Sequence, residues 1–150
     1  MASKQMQNQV ASMRESLFKQ GFLDEQFIQL EDLEDASNPN FVEEVCTVFF
    51  RDSLRQMTNI EQALQISPFD FTRLDDHMHH FKGSSSSIGA AKVKYQATLF
   101  REYCRDENAE GVRRAFEQMK KDLATLKKKV ETYFQLIRQV GPTHTAGRPK

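Results

Sequence analysis

Apolar residues recur along this chain at steps of three and four, and no stretch sustains a step of two. That period is the mark of amphipathic helices rather than strands. Met6, Val10, Met13 and Leu17 predict a first helix that ends near Gly21. "DEQFIQLEDLED", residues 24–35, predicts a short acidic second helix, with Phe27, Ile28, Leu30 and Leu33 turned inward or toward a partner. "ASNPN" breaks the chain, and Asn38 or Asn40 is placed to cap a third helix over 41–64. Its apolar positions are Val45, Val48, Phe49, Phe50, Leu54, Met57 and Ile60. After "ISPFD", a fourth helix starts near Asp70 and stops at Gly89, with Leu74, Met78, Phe81, Ser85 and Ile88 as its inner stripe. A fifth covers about 91–104 through Val93, Ala97, Phe100 and Tyr103. The last covers 109–140 through Val112, Phe116, Met119, Leu123, Leu126, Val130, Phe134 and Ile137. Four long helices with short breaks predict an all-α, antiparallel four-helix bundle, with the two additional N-terminal helices packed over one end or side. Residues 1–140 form a single domain in this reading, and 141–150, "GPTHTAGRPK", a disordered tail.

Composition narrows the function. Lys+Arg and Asp+Glu balance at 21 each, so no net charge draws the chain toward nucleic acid or an anionic membrane. Twelve Phe and no Trp imply a Phe-rich core. Cys46 and Cys104 form no C-x-x-C pair, and Cys46 lies in the apolar run "FVEEVCTVFF", where a buried free thiol is expected. The N-terminal "MASKQMQNQV" has no apolar signal-like core, and no run approaches a membrane span. An intracellular, soluble protein is the expectation.

The chemistry concentrates in "HHFKGSSSSIGA", residues 79–90. Gly costs a helix about 1 kcal/mol relative to Ala, and Ser is a mediocre helix former. The stripe from Leu74 to Ile88 nevertheless runs straight through them. At ~100° per residue, His79 points away from that stripe and shares a face with Asp75, Asp76, Lys82, Gly83 and Ser86. His80 lies farther round, near Asp76, Ser84 and Ser87, and His77 flanks the stripe half-buried. Gly83, one turn beyond His79, has no side chain, and Ser86 is small. The imidazole of His79 therefore stands proud of a shallow surface that a second folded protein can approach. Lys82 brings a positive charge to anything anionic on the ring. An imidazole in water titrates near pH 6.5, so a neutral, nucleophilic nitrogen is available at pH 7. Ser84, Ser85 and Ser87 also read as small packing residues where two helices come close.

Two other readings compete. His77 and His80, at i and i+3, are spaced to share a metal ion, but His79 points about 160–200° from His77, so the three do not converge. The basic residues of the last helix, Arg113, Arg114, Lys120, Lys121, Lys127, Lys128 and Lys129, raise nucleic-acid binding. Balanced acids and the absence of a groove-reading motif weigh against it, and a solvated helix face explains the run.

"HHFKGSSSSIGA" resembles the H-x-[LF]-K-G-S-S-S-S-[IV]-G-A signature of plant histidine-containing phosphotransfer proteins. Chain length and helix plan agree over nearly the whole sequence. The resemblance implies that His79 accepts a phosphoryl group, that Lys82 gives electrostatic assistance, and that Gly83 keeps the ring accessible. Asp75, Asp76, His80 and Ser86 become the expected docking surface, with Phe27, Ile28 and Leu30 as further candidates. The implied function is a relay. His79 takes the phosphoryl group from the receiver-domain aspartate of a hybrid histidine kinase and passes it to a response-regulator aspartate, in cytokinin-type signalling in cytoplasm and nucleus. It implies a monomeric carrier rather than an enzyme, without metal or cofactor of its own, the Mg²⁺ belonging to the receiver, and with no nucleic-acid or membrane partner. No nucleotide-binding or kinase motif is present. One position departs from the family: the residue after the accepting histidine is commonly Gln, and here it is His80. Some relatives lack the acceptor histidine and act as inhibitors; His79 is retained here.

Overall fold

The computed structural model describes residues 4–140. The expected tail, 141–150, lies outside the described residues. Six helices follow one another: α1 (Lys4–Lys19), α2 (Glu25–Glu31), α3 (Phe41–Ala63), α4 (Phe71–Ile88), α5 (Ala91–Arg105) and α6 (Ala109–Val140). In the bundle α4 packs between α3 and α5, and α5 between α4 and α6, while α3 and α6 touch along only a short length. Of the extra helices, α1 lies along α6, and α2 lies against α3 and α4.

The core is phenylalanine-rich, as composition requires. Phe49 of α3 stacks on Phe81 of α4 with centroids 6.1 Å apart, and Phe100 of α5 meets Phe116 of α6 edge to face. The inner stripe of α4 is buried at every expected position, Ser85 included. In α3 the expected stripe needs correction. Val48 and Leu54 are 44% and 61% exposed, and Ser53 takes the buried place instead. Its hydroxyl donates to the Phe49 carbonyl at 2.6 Å, so the polar atom is satisfied within the helix and the stripe runs 46, 49/50, 53, 57, 60.

Helix ends account for the other differences. Asp24 caps α2 by accepting from the Gln26 N–H, and Asp70 caps α4 by accepting from the Arg73 N–H. α2 is shorter than the acidic run 24–35. Carboxylates are unfavourable at a helix C-terminus, and here they serve the loop. Asp35 accepts from the backbone N–H groups of Ser37 and Asn38, and Glu34 accepts from the Val42 N–H in the first turn of α3. Glu34 thus does the capping expected of Asn38 or Asn40; Asn40 occupies the cap position without a side-chain bond. Of the four apolar residues expected inward or toward a partner, Phe27 and Leu30 are buried, and Ile28 and Leu33 are exposed.

Two devices hold the N-terminal helices to the bundle. Arg14 of α1 and Glu31 of α2 form a two-pronged ion pair, Nη2 to Oε1 at 2.5 Å and Nε to Oε2 at 3.1 Å, with both residues buried. Burial works against the guanidinium charge, but the bond to Glu31 and its attraction outweigh that and raise the Arg14 pKa, with Tyr133 of α6 adding to the effect. The second device is Gly89, which ends α4 at φ 75°. Its carbonyl accepts from the Asp24 N–H, and a Cβ there would lie 2.6 Å from the Asp24 carboxylate and 2.7 Å from the Phe27 nitrogen. Only glycine lets the start of α2 sit on the end of α4 this closely.

Candidate functional site

α4 carries the site, and its buried stripe holds it helical through its weak residues, whose hydroxyls turn back on the helix. Ser84 donates to the His80 carbonyl at 3.3 Å, Ser85 to the Phe81 carbonyl at 3.0 Å and Ser87 to the Ser84 carbonyl at 2.6 Å. Only Ser85 of the three is a buried packing residue; Ser84 is half-buried and Ser87 exposed. The serines thus keep the outer surface of α4 low without leaving a buried hydroxyl unpaired.

His79 and His80 are exposed and His77 is half-buried, as the wheel requires. Gly83 is exposed, and a Cβ built on it meets nothing within 4 Å. That position is open ground rather than a close helix contact. Lys82 and Ser86 are half-buried and Asp76 is exposed. Asp75 is half-buried. Its carboxylate accepts from Arg101 Nε of α5 at 2.8 Å, which ties α4 to α5 on the Lys82 side. The hydrogen bond to Asp75 is the main cause that raises the Arg101 pKa. Sequence reasoning missed Arg101, because no local pattern joins residues 26 positions apart.

The rings of His79 and His80 are not independent. Adjacent residues of a helix project about 100° apart and do not ordinarily face each other. Here the two imidazoles meet edge to face, centroids 5.9 Å apart at an interplanar angle of 63°.

Two cavities lie elsewhere. One of about 230 Å³ sits between the 31–43 segment and the end of α6, and another of about 490 Å³ between α3 and α6. His79 lines neither. Among the described residues no three His, Cys, Asp or Glu side chains converge as a metal site, and no helix is long and apolar enough to cross a membrane. The basic residues of α6 are not all simply solvated. Arg113 lies over Phe69 at 4.5 Å, Lys120 over Phe116 at 4.9 Å and Lys129 over Phe22 at 5.8 Å. Both thiols are buried, and burial pushes each up to about 12. Neither is a nucleophile near neutral pH.

Comparison with known proteins agrees with this arrangement. Residues 44–129 match the family described as the Hpt domain. The chain is 62% identical over 116 residues to histidine-containing phosphotransfer protein 4 of Arabidopsis thaliana, which covers 77% of this chain and 91% of that one. It is 56% identical over 144 residues to pseudo histidine-containing phosphotransfer protein 5 of Oryza sativa subsp. japonica, covering 96% and 95%. The crystal structure of a histidine-containing phosphotransfer protein from Medicago truncatula superposes with a TM-score of 0.87 at 38% identity, covering 97% of each chain.

Proposed function

The chain belongs to the Hpt family of plant histidine phosphotransfer proteins, and from that premise we propose that His79 is the phosphoryl acceptor of a multistep relay. The donor is the phosphoaspartate of a receiver domain in a hybrid histidine kinase, and the recipient is a response-regulator aspartate. The observation that carries this reading is the exposed imidazole of His79 beside the empty position at Gly83. A ring on open ground suits a partner whose aspartate lies in a recess.

The transfer needs little from this chain beyond position and charge. A ring nitrogen of His79 bonds to phosphorus as the P–O bond to the receiver's aspartate breaks. The carboxylate leaves with the electron pair, and the other ring nitrogen keeps its proton. Passage to the response regulator is the reverse step on a second receiver. Lys82, one turn on, favours the anionic phosphoryl group in both directions. The divalent cation for the transfer belongs to the receiver. This chain is a carrier and not an enzyme, it acts as a monomer so that one surface serves partners in turn, and its setting is cytokinin-type signalling in cytoplasm and nucleus.

A second reading is favoured by one observation: some of the similar rice proteins bear the name pseudo histidine-containing phosphotransfer protein. In that reading the chain binds receivers and accepts no phosphate. One experiment separates the two. The protein is incubated with a receiver domain phosphorylated on aspartate, and acid-labile phosphate is mapped by mass spectrometry. Phosphate on His79, lost in His79→Gln with helical circular dichroism unchanged, supports the relay. Receiver binding without label on the wild type supports the pseudo reading, and label retained in His79→Gln removes His79 as acceptor.

A further inference from the structure

We propose that His80 is a positioning residue for His79: its ring holds the accepting imidazole in one orientation through edge-to-face contact. The inference rests on the reading that His79 accepts the phosphoryl group. It starts from a contact that helix geometry does not enforce. Neighbouring positions diverge by about 100°, so two exposed rings at 79 and 80 meet only if both side chains adopt rotamers that turn them together. They do meet, at 5.9 Å and 63°, in the edge-to-face range that aromatic rings prefer, about 4.5–7 Å between centroids.

The surroundings of His79 give this contact its consequence. One turn ahead, Gly83 supplies no side chain, and nothing lies within 4 Å of its would-be Cβ. One turn behind, Asp75 has its carboxylate engaged by Arg101 of α5. The access that suits a partner therefore leaves the ring without a wall on the Gly83 side. A free imidazole samples several orientations about two side-chain torsions, and only some aim a ring nitrogen along the line of attack. A second ring at the next position restricts that sampling from the side and leaves the approach over Gly83 open. The contact belongs to the ring, so a phenyl group serves as well as an imidazole. This separates positioning from any chemistry by the His80 nitrogens.

The test uses the full chain as wild type, His80→Ala, His80→Phe and His79→Gln. Two donors are compared: a receiver domain phosphorylated on aspartate, and phosphoramidate, a small donor that needs no docking surface. The expected result is a roughly three- to tenfold slower labelling of His79 in His80→Ala with both donors, smaller than the ~100-fold cost of a 1 Å misplacement because the freed ring still visits the productive orientation. With phosphoramidate, the donor that needs no docking surface, His80→Phe should stay within about twofold of wild type. The ring protons of His79, followed by NMR, should lose a ring-current shift in His80→Ala and keep one in His80→Phe. Labelling of His80→Ala at the wild-type rate overturns the proposal. So does equal slowing of phosphoramidate labelling in His80→Ala and His80→Phe, which would assign the effect to an imidazole nitrogen. Absence of label on the wild type with either donor, or full label on His79→Gln, counts against His79 as acceptor, and the NMR shift then still reports whether the ring contact exists.

Discussion

Gly83 offers the sharpest separation of stability from function in this molecule. It sits mid-helix in α4, exposed, where glycine is a poor choice on helix grounds alone. A methyl group there meets nothing within 4 Å, so Gly83→Ala adds no clash. Removing the backbone-entropy cost of a helical glycine should stabilise the fold by about 0.5–1 kcal/mol. In a chain of this size that raises the thermal midpoint by roughly 1–4 °C. Gln is nearly as good a helix former as Ala, so Gly83→Gln should gain most of the same increment. Its effect on transfer should be opposite. A helical side chain leans back toward the N-terminus over the preceding turn, and at position 83 that turn carries His79. Gly83→Gln should therefore reduce transfer from a phosphorylated receiver on the order of tenfold or more, because the ring can no longer enter a recess. Labelling by phosphoramidate should fall far less, since that donor needs no flat surface. Thermal unfolding and both labelling rates are measured on the same samples. A stably folded Gly83→Gln protein that takes phosphate from a receiver at the wild-type rate refutes the reasoning, and so does a Gly83→Ala protein that is less stable than wild type.

Other regions yield independent tests. Lys82→Ala should slow transfer in both directions while the urea midpoint barely moves, and raised salt should shrink the difference because the effect is a screened charge interaction; a loss of stability with normal transfer by the folded fraction contradicts it. Arg14→Ala strands the buried carboxylate of Glu31 and should cost about 3–5 kcal/mol in urea unfolding, whereas replacing both residues by Met should recover most of that loss. Cys46 and Cys104 should resist alkylation until the chain unfolds. Their folded pKa values lie at about 12, above the unfolded value near 8.5–9, so their contribution is intact below pH ~8.5 and is lost as pH climbs toward 12. The alkaline fall in thermal midpoint should accordingly be shallower in the Cys46→Ala, Cys104→Ala double variant.

Much of the fold was legible because one signal, the 3.6-residue period, dominates the chain. The bounds expected for the last helix, 109–140, coincide with α6, and the stripe of α4 needed no revision. Legibility failed where a different force took over. Ser53 displaced Leu54 from the core of α3 because the phase of the helix, set by Phe49, Phe50 and Met57, outweighs the hydropathy of one residue. α2 ended early because the carboxylates of Glu34 and Asp35 bind backbone N–H groups of the loop and of α3, an interaction with no period at all. Arg14–Glu31 and Arg101–Asp75 were invisible for a related reason: each joins two helices, and which charges meet depends on how the helices are arranged.

The site shows the same division between what lies on one helix and what lies between helices. His79, Lys82 and Gly83 were placed correctly relative to one another because a helical wheel fixes a face from spacing alone. The wheel, however, treats each side chain as a direction, and it put His79 and His80 on separate faces. It has no means of turning two rings toward each other, which rotamers do. Nor does it show that Asp75 leaves the face for Arg101. With Asp75 drawn toward α5, the surface presented beside the ring consists of Gly83, the half-buried Ser86, the exposed Asp76 and His80, with Lys82 half-buried at its edge. This surface combines little relief with a positive charge at its edge, and the helix beneath it is held from inside by Phe81 and Ser85. On the proposed reading, support below and low relief above are the two conditions under which a single exposed nucleophile serves successive partners. In that reading Gly83 gives up helix stability for the second condition, while the buried stripe supplies the first.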